Sequence, residues 1–215
     1  MNKPIVKIID YGVGNLYSVY RAFEYCEANI QIAKKPSDLK NSNKIIVPGV
    51  GSFNNCMSQI KLLGFDDAIL NANQKKISIL GICVGMQILF DDSEEFGLHQ
   101  GLGLFSGHVK PISQINNTKK IRIPHIGWNS LTKASNKRSW DINFMRNIED
   151  KKNWFYFVHS YSAEPNDESI RLADCIYGDK KICSIIHKDN IYATQFHLER
   201  SGQEGLNLIR NYLNS

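Results

Sequence analysis

A single cysteine, Cys83, lies between two glycines at the end of a short apolar run, in the stretch SILGICVGMQIL of residues 78–89. An apolar strand that ends in Gly-x-Cys-x-Gly and passes directly into a helix is typical of a nucleophile elbow, which lifts the sulfur above the end of a sheet. Gly81 and Gly85 fit such a turn because a Cβ at either position would crowd the neighbouring backbone. The helix is expected to run through residues 86–90.

This position suits a nucleophile. A thiol at a helix N-terminus lies at the positive end of the helix dipole, which favours the thiolate. The N–H of the next residue, Val84, would be free to bind a developing oxyanion. The same pattern also fits a buried structural cysteine beside two packing glycines, so the remaining chain must decide between the two interpretations.

A catalytic cysteine needs a base and a group that orients the base. Among the six histidines, His197 stands out because it lies in the segment ATQFHLERS of residues 193–201. In an extended segment, residues two apart point to the same side, so His197 and Glu199 would lie side by side. Glu199 could then hold one imidazole nitrogen while the other faces Cys83. Alone, the segment fits a surface strand better, but beside a nucleophile elbow the catalytic pairing is favoured.

The first half of the chain predicts an α/β fold, because short apolar strands alternate with amphipathic helical stripes. Strands are expected at 4–9, 30–33, 44–47 and 77–82, and helices at 16–23, 53–60 and 65–75. We expect a mixed, largely parallel central sheet flanked by helices. The glycine-containing loop PGVGSF at 48–53 either presents backbone N–H groups to a ligand or forms an ordinary tight turn.

The second half changes character. The polar, glycine-containing stretch 91–103 predicts a loop, and short runs of β-forming residues follow it, at 121–123, 154–158, 172–177, 182–186 and 191–196. Turn residues separate the last three runs, which predicts a smaller antiparallel section. Asn15 is expected to cap the first helix, and Ser201 with Glu204 has the spacing of a capping box at the last.

Composition narrows the class of protein. The 215 residues are 42% hydrophobic, enough for one sizeable core, so we expect a single domain over residues 1–215. The net charge of +5 is spread along the chain without a long cationic run, so composition does not argue for a nucleic-acid or membrane-surface partner, and we expect neither. No signal peptide is apparent, and five scattered cysteines without a CxxC pair indicate neither a zinc site nor a disulfide framework. We therefore expect a soluble cytoplasmic protein without a metal or cofactor.

Several blocks of sequence resemble one enzyme family. GICVGMQ and TQFHLERS closely resemble the nucleophile and His-x-Glu segments of class I (triad) glutamine amidotransferases. DYGVGNLYSV, PGVGSF, GLGLFSGHV, PHIGWN and YFVHSY are similar, in order and spacing, to the glutaminase subunits of imidazole glycerol phosphate synthase. The blocks run from about residue 9 to residue 201, and PGVGSF combined with PHIGWN is far more specific than the elbow alone.

The resemblance implies a reaction and the residues that perform it. Cys83 would attack the carboxamide of L-glutamine and form a glutamyl thioester, His197 would move protons, and Glu199 would orient the imidazole. The oxyanion would be bound by the N–H of Val84 and by an N–H of the Val50–Gly51 segment. The residues that match the family's glutamine-holding positions are Gln87 and the backbone around His159, Ser160 and Tyr161.

The resemblance also implies a partner. In this family the ammonia passes to a (β/α)8-barrel cyclase subunit, which uses it to make imidazole glycerol phosphate in histidine biosynthesis. Trp128, within PHIGWN, would be the aromatic anchor of that interface, although a buried Trp beside a turn fits the pattern equally well. The residues that match positions at or near the interface are Asn15, Pro124, His125, Trp128, Asn129 and Arg200.

Two positions depart from the family pattern. The family usually has Pro after the triad histidine and Lys after the glutamate, where this chain has Leu198 and Arg200. These departures keep an alternative open, namely a paralogous glutaminase that supplies ammonia for amidination of a surface-sugar precursor. Two further alternatives are a non-enzymatic protein on a glutaminase fold and a cysteine peptidase. The intact Cys83–His197–Glu199 set disfavours the non-enzymatic protein. The resemblance of the glutamine site disfavours the peptidase.

Overall fold

The computed structural model describes residues 3–112, 121–134 and 140–215, which form thirteen strands and five α-helices. The strands are β1 (Ile5–Ile9), β2 (Asn29–Ala33), β3 (Lys44–Val47), β4 (Ser78–Ile82), β5 (Phe90–Ser93), β6 (His99–Gln100), β7 (Phe105–Pro111), β8 (His125–Lys133), β9 (Trp154–His159), β10 (Tyr161–Pro165), β11 (Arg171–Tyr177), β12 (Lys180–Lys188) and β13 (Ile191–Thr194). The α-helices are α1 (Leu16–Tyr25), α2 (Phe53–Leu62), α3 (Phe65–Gln74), α4 (Val84–Gln87) and α5 (Gly202–Leu213). Among these described residues, no helix is long and apolar enough to cross a membrane.

One half of the main sheet is parallel. The nine-stranded sheet has the order β2-β1-β3-β4-β13-β12-β11-β8-β9, and the pairings from β2 to β13 are all parallel. All four residues of β3 are buried, as expected of a central strand covered on both faces. The chain moves in opposite directions from β1 to β2 and from β3 to β4. Right-handed crossovers therefore place α1 on one face of the sheet and α2 with α3 on the other.

The other half of the main sheet is antiparallel. β13 pairs with β12, β12 with β11, β11 with β8, and β8 with β9, each in the antiparallel sense. The antiparallel arrangement predicted for residues 172–177, 182–186 and 191–196 is confirmed. These strands do not form a separate unit but continue the parallel half, so β13 joins two kinds of pairing within one mixed sheet.

The prediction of a loop over 91–103 was wrong. β5 and β6 occupy part of this stretch and belong to a second, four-stranded sheet with the order β10-β7-β5-β6. The helix expected over 86–90 is displaced as well, because α4 ends at Gln87 and Phe90 already begins β5. β5 pairs with β6 and with β7, so hydrogen bonding between these strands overrides the local polar character of this segment.

Three further local predictions were wrong. The run 121–123 is not a strand; β8 begins only at His125, after a cis peptide bond between Ile123 and Pro124. Asn15 precedes α1 without a side-chain capping hydrogen bond, and the same is true of Ser201 at α5. The Ser201 hydroxyl instead donates to the carbonyl oxygen of His197 at 2.6 Å and accepts from the N–H of Tyr156 at 3.0 Å.

Candidate active site

Three neighbouring parallel strands end at the same edge of the main sheet, and a predicted site segment follows each of them. β3 leads into residues 48–51, β4 ends immediately before Cys83, and β13 leads into residues 195–199. The N–H of Cys83 donates to the carbonyl oxygen of Thr194 at 2.7 Å, which ties the turn after β4 to the end of β13. The carboxyl ends of parallel strands are where α/β sheets bind ligands, so this edge is the candidate site.

Cys83 lies on a strained turn between β4 and α4. Its φ of 56° and ψ of −113° place a non-glycine residue in a conformation that L-residues rarely adopt. Close packing enforces the turn, because a Cβ at Gly85 would lie 1.9 Å from the carbonyl oxygen of Val47. The sharp strand-to-helix turn predicted around Cys83 is therefore present. Since α4 has only one turn, nearby N–H groups act on the sulfur more than a helix macrodipole does.

His197 and Glu199 form the pair that their spacing predicts. Nδ1 of His197 lies 2.7 Å from Oε1 of Glu199, and both side chains are buried. Burial alone would lower the pKa of His197, but hydrogen bonds to Cys83 and to Glu199 outweigh burial and raise this pKa well above its ordinary value. A charged imidazolium is therefore stabilised beside the sulfur.

The glycine-containing loop after β3 is held from two sides. The hydroxyl of Tyr11 donates to the carbonyl oxygen of Pro48, and Sγ of Cys56 lies 3.5 Å from the carbonyl oxygen of Val50. A trans peptide directs its N–H away from its C=O, so the N–H of Gly51 points away from Cys56. Gly51 has a φ of +86°, which a glycine adopts without strain. This loop therefore has a fixed shape beside Cys83.

A cavity of about 150 Å³ opens above the sulfur of Cys83. Its lining combines the elbow, the base and the loop after β3 with two segments from elsewhere in the chain. The lining residues are Val50, Gly51, Cys83, Val84, Gln87, Glu95, Val158, His159, Ser160, Tyr161 and His197. The cavity is smaller than the range of about 300–1,000 Å³ typical of drug-sized ligands, so it suits a molecule of amino-acid size.

Nearly the whole chain is similar to known proteins of one family. The model of the class I glutamine amidotransferase family matches residues 7–214. The chain belongs to this family. The amidotransferase is 39% identical over 209 residues to imidazole glycerol phosphate synthase subunit HisH 1 of Legionella pneumophila strain Lens, covering 97% of this chain and 98% of that one. It is 42% identical over 209 residues to subunit HisH of Geobacter sulfurreducens, covering 96% of this chain and 97% of that one.

Solved structures support the same fold at lower sequence identity. A crystal structure of a glutamine amidotransferase has a TM-score of 0.72 at 16% identity and covers 97% of both chains. A structure of PurLQS from Thermotoga maritima has a TM-score of 0.73 at 20% identity and covers 99% of both chains. At these identities the likeness concerns the fold, which agrees with the predicted α/β class.

Gln87 of the amidotransferase lies in a buried polar network beside the cavity. Its Nε2 donates to the carbonyl oxygen of Tyr161 and to Oε1 of Gln195, both at 3.0 Å. Gln195 in turn places its Nε2 3.7 Å from Sγ of Cys83. The carboxylate of Glu95 also lines the cavity, and it accepts a hydrogen bond from the N–H of Phe53 at 2.6 Å. No sequence motif pointed to Gln195 or Glu95 as site residues, although Gln195 stands only two residues before His197.

His125 and His159 are a buried, neutral pair in the amidotransferase. Nδ1 of His159 lies 2.8 Å from the carbonyl oxygen of Tyr161, so it must carry a proton; Nε2 then accepts from Nδ1 of His125 at 3.1 Å. Burial lowers the pKa of His125 to about 4 and that of His159 to about 3. The side chain of His159 is therefore fully engaged. His125, expected near the partner interface, is only 2% exposed and faces the interior.

The other predicted interface residues lie at or near the surface of the amidotransferase. Pro124, Trp128 and Arg200 are exposed, while Asn15 and Asn129 are half-buried. Trp128 is 52% exposed, which excludes the interpretation of a buried tryptophan. The side-chain amide of Asn129 donates to the carbonyl oxygen of Ile176 at 2.8 Å, so it also fixes β8 against β11.

Trp128 belongs to a larger exposed apolar surface on β8 and β9, here named the β8–β9 face. Cross-strand pairing puts Ile126 opposite Val158 and Trp128 opposite Tyr156, so their side chains emerge on the same side. The surface consists of the exposed Ile126, Trp128, Trp154 and Val158 and the half-buried Tyr156. Because Val158 also lines the cavity, this apolar surface adjoins the candidate active site.

Within the described ranges, no group of three or more His, Cys, Asp or Glu side chains could hold a metal ion.

Proposed function

We propose that this chain is the glutaminase subunit of an imidazole glycerol phosphate synthase and that Cys83, His197 and Glu199 form its catalytic triad. The observation that carries the proposal is the elbow cysteine beside a buried His–Glu pair, at the floor of an amino-acid-sized cavity. The full-length similarity to HisH subunits supports glutamine as the substrate. A cysteine peptidase is disfavoured by the same full-length similarity.

The first half-reaction forms a glutamyl thioester. The thiolate of Cys83 attacks the carboxamide carbon of glutamine, and the resulting oxyanion is bound by the N–H of Val84 and by an N–H of the Val50–Gly51 segment. Val84 is the first residue of α4, so its N–H has no acceptor within the helix. His197 then donates its proton to the departing nitrogen, the C–N bond breaks, and ammonia leaves.

The second half-reaction releases glutamate. His197, now neutral, takes a proton from water as the water oxygen attacks the thioester carbon. The tetrahedral intermediate collapses by breaking the C–S bond, and the electron pair stays on the sulfur of Cys83. The proton remains on His197, which restores the starting ion pair. Glu199 holds Nδ1 of the imidazole throughout and stabilises its charged form.

The polar groups around the cavity suit the charged end of glutamine. Glu95 supplies a carboxylate for the α-ammonium group, and the oxygen of the Gln87 amide is its second acceptor. The carbonyl oxygens of Ser160 and Tyr161 are already engaged by Ile112, Gln87 and His159. This segment therefore binds through N–H groups, and we assign the N–H of Ser160 to the α-carboxylate.

The partner is a (β/α)8-barrel cyclase subunit that receives the ammonia. The β8–β9 face is exposed, aromatic and contiguous with the cavity, which suits an interface through which a small neutral molecule passes. Trp128 is its anchor, and Pro124, Asn129, Asn15 and Arg200 surround it or lie nearby. The direct test is glutamine hydrolysis by the isolated chain and by its complex with the cyclase, with and without the cyclase nucleotide. We expect weak activity alone and strong activation in the nucleotide-bound complex.

The same experiment tests the competing acceptor. Leu198 and Arg200 depart from the family pattern, but Leu198 is the first residue of a short 3₁₀ helix, where proline and other residues are both tolerated. The departure therefore leaves the base in place. Formation of imidazole glycerol phosphate by the complex would support the proposal. Glutamine hydrolysis that never supports imidazole formation would favour the sugar-amidating paralogue, and high activity without any partner would refute the coupling.

A substitution at Trp128 tests partner binding separately from the triad. Trp128→Ala should weaken binding of the cyclase by about 2 kcal/mol or more, because truncating a central aromatic anchor commonly costs this much. Isothermal titration of the cyclase into wild type and variant measures the change. Tyr25→Ala is the matched control, since Tyr25 is 69% exposed and lies at the end of α1 beside residues 3–4, which precede β1 and are remote from the site edge of the sheet. Equal affinities for wild type and Trp128→Ala would remove this face from the interface.

A further inference from the structure

A glutamine contacts the sulfur of Cys83 from the segment between β13 and His197. Nε2 of Gln195 lies 3.7 Å from Sγ, within hydrogen-bond distance for a sulfur acceptor, and the side chain is 0% exposed. Its Oε1 accepts from Nε2 of Gln87 at 3.0 Å, and its backbone N–H donates to the carbonyl oxygen of Ser184 at 2.9 Å. Both Nε2 and Oε1 of the Gln195 side chain have partners, so the side-chain amide cannot rotate freely.

The direction of the amide follows from one backbone carbonyl. The carbonyl oxygen of Tyr161 can only accept, so the atom of Gln87 that faces it must be the nitrogen. That same nitrogen faces Gln195, which must therefore present its oxygen to Gln87. The nitrogen of Gln195 is left to face Cys83. Tyr161 thus fixes the orientation of both amides, and an N–H of Gln195 points at the sulfur.

We propose that Gln195 is a further catalytic residue, whose amide N–H holds the sulfur of Cys83 as an anion at the floor of the cavity. The inference rests on the proposed role of Cys83 as the nucleophile. An N–H donor to an anion is a stronger hydrogen bond than one to a neutral thiol, so Gln195 favours the thiolate over the thiol. The same bond acts when the C–S bond of the tetrahedral intermediate breaks, because the electron pair then returns to sulfur.

Gln195 has a second effect through Gln87. By taking one hydrogen of the Gln87 amide while Tyr161 takes the other, it leaves the Gln87 oxygen as the only group of that amide available to a substrate. A substrate ammonium group can donate to this oxygen. Gln195 therefore links the state of the sulfur to the orientation of a proposed glutamine-binding residue.

The test uses two variants of the full chain and follows alkylation of Cys83 by iodoacetamide against pH, with mass spectrometry of its peptide. Gln195→Glu keeps the shape and the bond to Gln87 but turns an oxygen toward the sulfur, and Gln195→Leu removes both bonds. We expect the pH midpoint of alkylation to rise by about one unit and kcat for glutamine to fall about 10-fold or more in each. The other titratable groups near the sulfur, His197, Tyr11 and Cys56, are unchanged in these variants.

Ser184→Ala is the matched control, because it removes another buried polar side chain of the neighbouring strand and leaves the backbone acceptor of Gln195 in place. A wild-type pH midpoint and kcat in Gln195→Glu and Gln195→Leu would overturn the inference. An equal shift in Ser184→Ala would also overturn it, since the effect would then be structural. If Cys83→Ala retained glutamine hydrolysis, the proposed function itself would fail, a result distinct from failure of Gln195 alone.

Discussion

At the scale of single residues, the site works by stabilising two charges that burial opposes. His197 is 3% exposed, yet its pKa is raised, because Cys83 and Glu199 both favour its protonated form. The sulfur and the imidazole therefore stabilise each other as an ion pair. This pairing makes Glu199 important for the charge on His197 as well as for its orientation.

Glu199→Gln should separate charge from shape. The amide retains the size of the side chain but removes the negative charge, so the pKa of His197 should fall toward its ordinary value. The alkaline limb of kcat/KM, where His197 loses its proton, should then move to lower pH. We also expect kcat/KM to fall about 100-fold or more, as expected when the partner of a catalytic histidine is neutralised. The pH profile of glutamine hydrolysis measures both effects, and an unmoved alkaline limb would exclude Glu199 as the group that raises this pKa.

At the scale of elements, the elbow holds Cys83 in a strained backbone conformation beside the cavity, although the residue is only 3% exposed. The positive φ of Cys83 is imposed by close contacts of Gly49, Gly81 and Gly85 with the backbone around them. The strand, the turn and α4 can therefore come this close only with glycine at those positions. The strain should appear as a stability difference between substitutions of Cys83 itself.

Cys83→Gly should be more stable to unfolding than Cys83→Ala by about 1 kcal/mol. Glycine relieves strain worth about 1–3 kcal/mol at a rare backbone conformation, and its greater freedom in the unfolded chain offsets about 0.5–1 kcal/mol of this gain. Urea denaturation of the two inactive variants measures the difference. A more stable alanine variant would mean that the turn at Cys83 is relaxed.

The sequence could predict those elements whose signals are local. The bounds of β3 were predicted correctly, because three apolar residues follow Lys44, whose aliphatic chain can be buried, and the run ends at a Pro-Gly turn. The prediction for the stretch 91–103 failed because β5 depends on pairing with β6 and β7, which the polar residues of the stretch do not indicate. The Ser201 pattern failed because Tyr156, 45 residues away, takes its hydroxyl. Gln195 and Glu95 were missed because their roles depend on contacts between distant segments, which spacing does not encode.

At the scale of the whole molecule, a chain of hydrogen bonds connects β8, beside the proposed partner surface, to the sulfur of Cys83. It runs from His125 through His159 to the carbonyl oxygen of Tyr161, then through Gln87 and Gln195 to Cys83. Each member is buried or partly buried, and both histidines are neutral. The network is therefore a cost to folding in acid, because a proton on Nε2 of His159 would set two donors against each other and burial disfavours a charge on His125.

The free energy of unfolding should fall as the pH falls from about 6.5 toward 4. An unfolded histidine titrates near pH 6.5, whereas the pKa of folded His125 is lowered to about 4, so the unfolded chain binds more protons in this window. Each buried histidine contributes up to about 1.4 kcal/mol per pH unit. The raised pKa of His197 contributes to the free energy of unfolding with the opposite sign, and this contribution is fully present below pH 6.5. Urea denaturation between pH 6.5 and 5 should show a smaller slope for His125→Gln than for wild type, with His99→Gln as the control. Identical slopes for all three proteins would contradict this account.

The most direct test of the account is to locate the glutamyl intermediate. The complex with its cyclase partner is mixed with glutamine, quenched in acid during turnover, and digested for mass spectrometry. We predict a glutamyl group on the peptide that contains Cys83, and neither that adduct nor ammonia release in Cys83→Ala, which should still bind the cyclase. Glutamine hydrolysis that persists in Cys83→Ala, or an acyl group on another residue, would contradict the assignment of Cys83 as the nucleophile.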